Sequence, residues 1–272
     1  MTPIFLYLAY GRSPATVREL RYSFESLLPE IAGDASRTVI YTDSPQAYAD
    51  LGANLVDASG ILRAAFACEY RHRIKPMVLA DALRRFARPC VLIDTDSFIR
   101  PGFTQAIARA LSEGAAMNFF VRRDPYPDFP PFETELLHLG RYRLDRRQAL
   151  MLNSGLIAAN PAHLALIEDA ITLIDQLWRA GLRRHDIEQF AIAETLRLGG
   201  IRIALIDDVF EHYCARWARR YMRRNLRRRQ AEPIPFSKTR VRLFKAYWTL
   251  RLAMRKARQF ATVGISAKWR KT

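Results

Sequence analysis

An α/β fold with a mixed, mostly parallel sheet flanked by helices is predicted for this chain by three observations. Over the first 210 residues, short β-rich apolar runs alternate with longer stretches of helical spacing, which is the rhythm of βαβ units. The run Val91-Leu92-Ile93 is apolar without alternation, as a strand buried on both faces must be. It stops on Asp94-Thr95-Asp96, at the strand end where such folds place their ligands. Half of the 272 residues are hydrophobic, enough to fill the core of one large domain.

The elements follow in order. Ile4 to Ala9 reads as the first strand; its surroundings lack a basic leader and a small-residue cleavage site and break at Gly11-Arg12, unlike a signal peptide. Val17, Leu20, Phe24, Leu27 and Leu28 give helical spacing to 15–31. Val39-Ile40-Tyr41 and Leu55-Val56 are strands, and Met77 to Phe86 is a helix before the aspartate strand. Phe103 to Leu111 is helical and Met117 to Val121 extended. Asp124 to Pro131 carries four prolines and must be a loop or lid. Leu156 to Ala159 is a strand. Helices over 162–177 and 187–198 each close near a glycine, and Ile203 to Ile206 is the last strand.

Charge and cysteine content narrow the function classes. Cys68, Cys90 and Cys214 are few and widely spaced, which argues against a disulfide framework or zinc cluster and for a reducing compartment. No apolar run reaches the roughly 20 residues of a membrane span, so the chain is expected to be soluble or peripheral. The net charge is +16, but its distribution is uneven: Glu211 to Thr272 holds 19 Lys and Arg against 2 acidic residues, whereas residues 1–210 hold 24 against 25. A neutral body, 1–214, thus carries a basic extension, 215–272, and that extension calls for an anionic partner.

The aspartates carry the chemistry. Two carboxylates one residue apart need a cation, a strong donor or a raised pKa, and a divalent metal supplies the first. Aspartates at strand ends also cap helices or open turns, and Pro101-Gly102 is a turn signal, so the motif alone leaves both readings open.

Further segments in order supply context: Arg73-Ile74-Lys75 at a helix start, Asp94-Thr95-Asp96, Asn153-Ser154-Gly155 running into a strand, Asp186-Ile187-Glu188-Gln189 opening a helix, and Glu211-His212 after the last strand. This ordered set resembles the nucleotide-sugar-dependent glycosyltransferases of the GT-A fold, most closely those of family 8. The resemblance implies transfer of a sugar, with retention, from a nucleotide-diphosphate sugar to a glycan or lipid-linked acceptor. It implies Asp94, Asp96 and His212 as ligands of Mn²⁺ or Mg²⁺, with Asp94 shared with the donor's ribose. Tyr10, Arg73, Lys75, Asn153 and Gly155 would bind donor, and Asp186, Glu188 and Gln189 would form the reacting face, with Gln189 near the anomeric carbon. Phe190 stands where many relatives carry an acidic residue, and Tyr213-Cys214-Ala215 where glycine and lysine are usual; Arg216 is the candidate substitute for that lysine.

Two other readings compete. An apolar strand ending in Asp-x-Asp also resembles the nucleophile loop of haloacid-dehalogenase-like phosphatases, with Asp207-Asp208 as a second acidic pair, although Phe98 stands where that family wants Thr or Val. A non-enzymatic binding protein would act through its basic extension alone. There, Arg216 to Arg229 forms a positive surface if helical, Pro233 and Pro235 break the chain, and Leu243, Ala246, Tyr247, Leu250, Met254 and Ala257 follow helical spacing on one face of 241–260. A basic amphipathic helix with aromatics suits anionic lipid, which predicts a cytoplasmic protein peripheral to the inner face of the cytoplasmic membrane. The same stripe would also suit packing on the main domain. Nucleic acid is the weaker partner, because no recognised nucleic-acid motif accompanies the basic stripe.

Overall fold

The structure is a computed structural model that describes residues 2–228 and 236–250. The expected break at Pro233 and Pro235 and the far half of the amphipathic stripe, with Met254 and Ala257, lie outside the described residues.

Strands in chain order are β1 (Ile4–Ala9), β2 (Thr38–Thr42), β3 (Asn54–Asp57), β4 (Cys90–Ile93), β5 (Ser97–Ile99), β6 (Gly114–Met117), β7 (Phe120–Arg123), β8 (Glu133–Leu136), β9 (Gly140–Arg143), β10 (Leu150–Leu152), β11 (Leu156–Ala159), β12 (Arg202–Leu205) and β13 (Phe210–His212). Helices are α1 (Pro14–Leu27), α2 (Ser59–Phe66), α3 (Ile74–Phe86), α4 (Phe103–Glu113), α5 (Leu164–Arg179), α6 (Ile187–Leu198) and α7 (Arg216–Arg228). Seven strands form the main sheet in the order β12-β6-β11-β4-β1-β2-β3. β3, β2, β1 and β4 run parallel, as do β6 and β12, while β11 lies antiparallel between β4 and β6.

The pleat divides the core into two layers, because successive side chains of a strand point to opposite faces. Leu6, Tyr41, Leu92, Met117 and Ile157 join buried residues of α3, α5 and α6 on one side. Phe5, Tyr7, Ile40, Val91, Ile93 and Ala158 join those of α1 and α4 on the other. β4 and β11 are buried along their whole length, which is why their sequences show no alternation. Each fully buried large aliphatic or aromatic side chain contributes about 1.5–3 kcal/mol through area removed from water.

Four features differ from the sequence reading. Residues 117–121 are not one strand: β6 ends at Met117 and β7 begins at Phe120. At Asn118 the backbone N–H donates to Asn153 O (3.2 Å) and the carbonyl accepts from Ile206 N–H (3.1 Å), so the chain leaves β11 and pairs with β10 instead. α2 is an added helix, too short for periodicity to reveal. The β8–β9 hairpin turns through Gly140 at φ +71°, a left-handed conformation natural to glycine. β5 and β13 form a three-residue antiparallel pair, with His212 opposite Ser97.

The chain divides into two compact units, Met1–His212 and Tyr213–Thr272. In the second, Trp217 and Tyr221 of α7 meet Phe244 of the helical residues 238–250 edge to face, with ring centroids 6.4 and 5.4 Å apart. Among the described residues no helix is long and apolar enough to cross a membrane.

Candidate metal and donor site

The site forms at the C-terminal ends of β1 and β4, which lie side by side with Tyr7 opposite Ile93. Asp94 is the first residue beyond β4, and its N–H donates to Gly155 O (2.9 Å). Ser97 Oγ lies 2.8 Å from the Asp94 carbonyl and 2.6 Å from Ser23 Oγ, which pins the short loop and fixes where both aspartates point. The β5–β13 pairing then carries His212 in from the far end of the unit. Its Nε2 lies 3.3 Å from Asp94 Oδ2 and 3.4 Å from Asp96 Oδ1. One ligand atom from each of Asp94, Asp96 and His212 falls within 4.8 Å of the others.

Asn153 sets the tautomer of that imidazole. Its Oδ1 accepts from Gly155 N–H (3.0 Å) and Asn118 Nδ2 (3.1 Å), and lies 2.8 Å from His212 Nδ1. An oxygen in that role requires the proton on Nδ1, so in the neutral ring the Nε2 lone pair faces the two carboxylates. Three electron-pair donors converging on one point suit a divalent cation, and a hydrogen bond to the other ring nitrogen is the usual support of a ligating histidine. The residues therefore fit a metal. Gly155 makes the arrangement sterically possible: a Cβ there would stand 2.2 Å from His212 Nδ1 and 2.8 Å from Asn153 Oδ1.

Behind the aspartates lies a second charged group. Lys75, on α3, places Nζ 2.8 Å from Asp94 Oδ2, 3.2 Å from Ser154 Oγ and 4.0 Å from Glu188 Oε1. Burial opposes its charge, but the carboxylates of Asp94 and Glu188 outweigh that and hold the ammonium above its ordinary pKa. Glu188 is buried on the first turn of α6; Oε1 accepts from Ser154 Oγ (3.0 Å) and Oε2 from Tyr70 OH (2.5 Å). Burial first, then the Glu188 charge, pushes the Tyr70 hydroxyl far above its ordinary value. Gln189 joins the same wall, its Oε1 accepting from Asn153 Nδ2 (3.0 Å) and Ser154 N–H (3.2 Å).

Lys75, Asp94, Asp96, Asn153, Gly155, Glu188, Gln189 and His212 thus form one connected set. Asp186 stands at its margin, bonded to Arg122 (2.9 Å), Arg184 (3.3 Å) and Tyr126 OH (3.3 Å). Burial raises its pKa, but Arg184, His185 and Arg122 more than offset this and hold it below the ordinary range. Arg73 turns elsewhere: its guanidinium forms a two-point pair with Asp175 of α5, at 2.5 and 2.7 Å. Tyr10 follows β1 at the same sheet edge, and its ring meets Phe66 edge to face at 5.7 Å. Asp207 and Asp208 lie in the turn after β12 and take no part in the Asp94–Asp96–His212 cluster. Sequence reasoning missed Tyr70 and Asn118, which bond to Glu188 and Asn153. The available signal was position, Tyr70 just ahead of the Arg73-Ile74-Lys75 helix start and Asn118 at a strand end.

No protein-family profile matches the chain, and no curated protein matches it in sequence. Solved structures do. The galactosyltransferase LgtC, in complex with donor and acceptor sugar analogues, is similar with a TM-score of 0.55 and 12% identity, over 84% of this chain and 97% of that one. A glycosyltransferase involved in glycosylation of the PBCV-1 major capsid has a TM-score of 0.45 at 13% identity, over 84% of this chain and 100% of that one. Mouse xyloside xylosyltransferase 1 has 0.44 at 12%, over 75% and 84%. The likeness to LgtC establishes the fold: the seven-stranded, mostly parallel sheet with flanking helices is the GT-A fold expected from the sequence.

Proposed function

We propose that this protein is a metal-dependent glycosyltransferase of the family 8 type, moving a hexosyl group from a nucleotide-diphosphate sugar to a glycan or lipid-linked acceptor with retention at the anomeric carbon. The observation that carries the reading is the convergence of Asp94, Asp96 and His212 at the ligand-binding edge of a GT-A sheet, with Glu188 and Gln189 bonded into the same wall. Held by those three side chains, Mn²⁺ or Mg²⁺ would neutralise the charge that gathers on the departing diphosphate. One imidazole among carboxylates favours Mn²⁺.

The chain's own groups do the rest. Lys75 anchors the Asp94 carboxylate through Oδ2, the same oxygen that faces His212 Nε2 at 3.3 Å, and so fixes the carboxylate's orientation within the cluster. Asn153 holds the His212 tautomer with one end of its amide and orients Gln189 with the other. That links donor-side geometry to the face on which Gln189 meets the sugar. Small Gly155 allows donor and imidazole to approach the same backbone. Glu188, held by Ser154 and Tyr70, supplies fixed negative charge for an oxocarbenium-like sugar. In the same reading, residues 215–272 bring the enzyme to the cytoplasmic face of an anionic membrane, where the acceptor is presented.

Calorimetry with a panel of nucleotide diphosphates and nucleotide sugars, with and without Mn²⁺, tests the reading. Metal-dependent binding of one nucleotide, lost in Asp96→Ala, supports it. Absence of binding across the panel would return the phosphatase reading, or a protein acting through its basic extension, to first place.

A further inference from the structure

The second unit carries two features for which sugar transfer has no use. α7 contains seven arginines, and residues 213–228 include no Asp or Glu. Those arginines line an open trough of about 730 Å³ together with Phe244 and Trp248. The Arg220 guanidinium lies 4.6 Å from the Trp248 ring centroid and 5.6 Å from that of Trp217, and Arg224 lies 5.7 Å from Trp248. A guanidinium held over an aromatic face has its planar orientation set in advance, with its N–H edge able to meet phosphate oxygens two at a time. So many like charges on one helix face raise the local positive potential, which favours an anion there.

The second feature is apolar. In the helical residues 238–250, Phe244 turns toward the α7 aromatics and Trp248 toward Arg220 and Arg224, whereas Leu243, Tyr247 and Leu250 are 67%, 56% and 61% exposed. Their spacing of four and three residues sets them on one stripe. A free phosphate or a nucleic acid would use the arginines and leave that stripe in water. A lipid surface uses both, because apolar burial and attraction to anionic headgroups act together at an interface.

We propose that α7 and residues 238–250 form a headgroup site for anionic phospholipids, in which the arginine trough takes lipid phosphates while Leu243, Tyr247 and Leu250 enter the acyl boundary. This deepens the membrane part of the functional reading. It stands on the second unit alone, so it survives or fails apart from the transfer chemistry.

The test is co-sedimentation of the full chain with vesicles of phosphatidylcholine alone or mixed with phosphatidylglycerol, for the wild type, Leu243→Asp/Leu250→Asp, Arg220→Glu/Arg224→Glu and Asp96→Ala. The expected result is binding only to the phosphatidylglycerol vesicles, weakened about tenfold or more by each paired substitution, unchanged in Asp96→Ala, and not displaced by millimolar glycerol phosphate or by single-stranded RNA. Circular dichroism of each variant keeps loss of fold separate from loss of binding. If the arginine pair does not fold, weakening of wild-type vesicle binding by salt reads the same electrostatic contribution. Equal binding to neutral vesicles, no effect of the leucine pair, or displacement by either competitor would each overturn the proposal, and displacement by RNA would assign the trough to nucleic acid.

Discussion

Gly155→Ala tests the candidate metal centre without removing any of its three candidate ligands. An alanine Cβ at this position would lie 2.2 Å from His212 Nδ1, where ordinary contact begins at 3.4 Å, a deficit of 1.2 Å. The same Cβ presses on the His212 ring carbon at 2.5 Å and on Asn153 Oδ1 at 2.8 Å, so the imidazole and the amide that orients it must both move. Metal–ligand distances tolerate shifts of about 0.2 Å, and disturbing the groups behind a ligand already costs about 10–100-fold in metal affinity. A tenfold to hundredfold loss of Mn²⁺ affinity is therefore expected, equivalent to about 1.4–2.7 kcal/mol. Crowding and the strained hydrogen bonds from His212 Nδ1 and Gly155 N–H to Asn153 Oδ1 should also cost about 2–4 kcal/mol of stability. Calorimetry with Mn²⁺ and urea unfolding give the two numbers. His212→Ala supplies the control: with the imidazole gone the main clash goes too, so adding Gly155→Ala should cost much less than it does alone, a non-additivity expected of residues in contact. Mn²⁺ affinity of Gly155→Ala within twofold of the wild type, with the fold intact, would refute His212 as a ligand.

Lys75→Met leaves Asp94 and Glu188 facing each other without their shared ammonium and should destabilise the protein by about 3–5 kcal/mol; Mn²⁺ should restore part of this by neutralising Asp94, measured as urea midpoints with and without metal. Leu173→Ala, in the buried face of α5, should cost about 2–5 kcal/mol through the cavity it leaves while the metal and donor affinities of the folded fraction stay unchanged. Stability should fall on acidification. Asp186 is held below its ordinary 3.8, so its contribution is present above that value and disappears as pH falls through its folded pKa. His163 is held below 6.5 by burial; its neutral form is favoured in the fold, so its contribution is present above 6.5 and is lost as pH falls through its folded pKa. Urea midpoints at pH 7, 5 and 3.5 check the sign, and Asp186→Asn should flatten the lower part of the acid limb.

What could be read in the sequence was burial, and what could not was partnership. β4 and β11 announce themselves because strands covered on both faces have no polar side to show, and α6 runs from Ile187 to Leu198 as its spacing implied. The break between β6 and β7 is set by Asn118 bonding across to Asn153, 35 residues away, and nothing local records it. The candidate site follows the same rule. Asp94 and Asp96 were legible because a buried strand ends on them, yet the pairing that carries in His212 is three residues long and rests on register alone. Arg73 and Lys75 look equivalent at a helix start. Three-dimensional neighbours separate them: Arg73 meets Asp175, 102 residues away, and Lys75 meets Asp94. A helix start therefore offers two cations, and which one serves the cluster depends on which acidic residue the opposing helix α5 presents. For that reason an Asp175→Asn variant would take away the two-point partner of Arg73, at 2.5 and 2.7 Å, without touching the cluster that Lys75 serves.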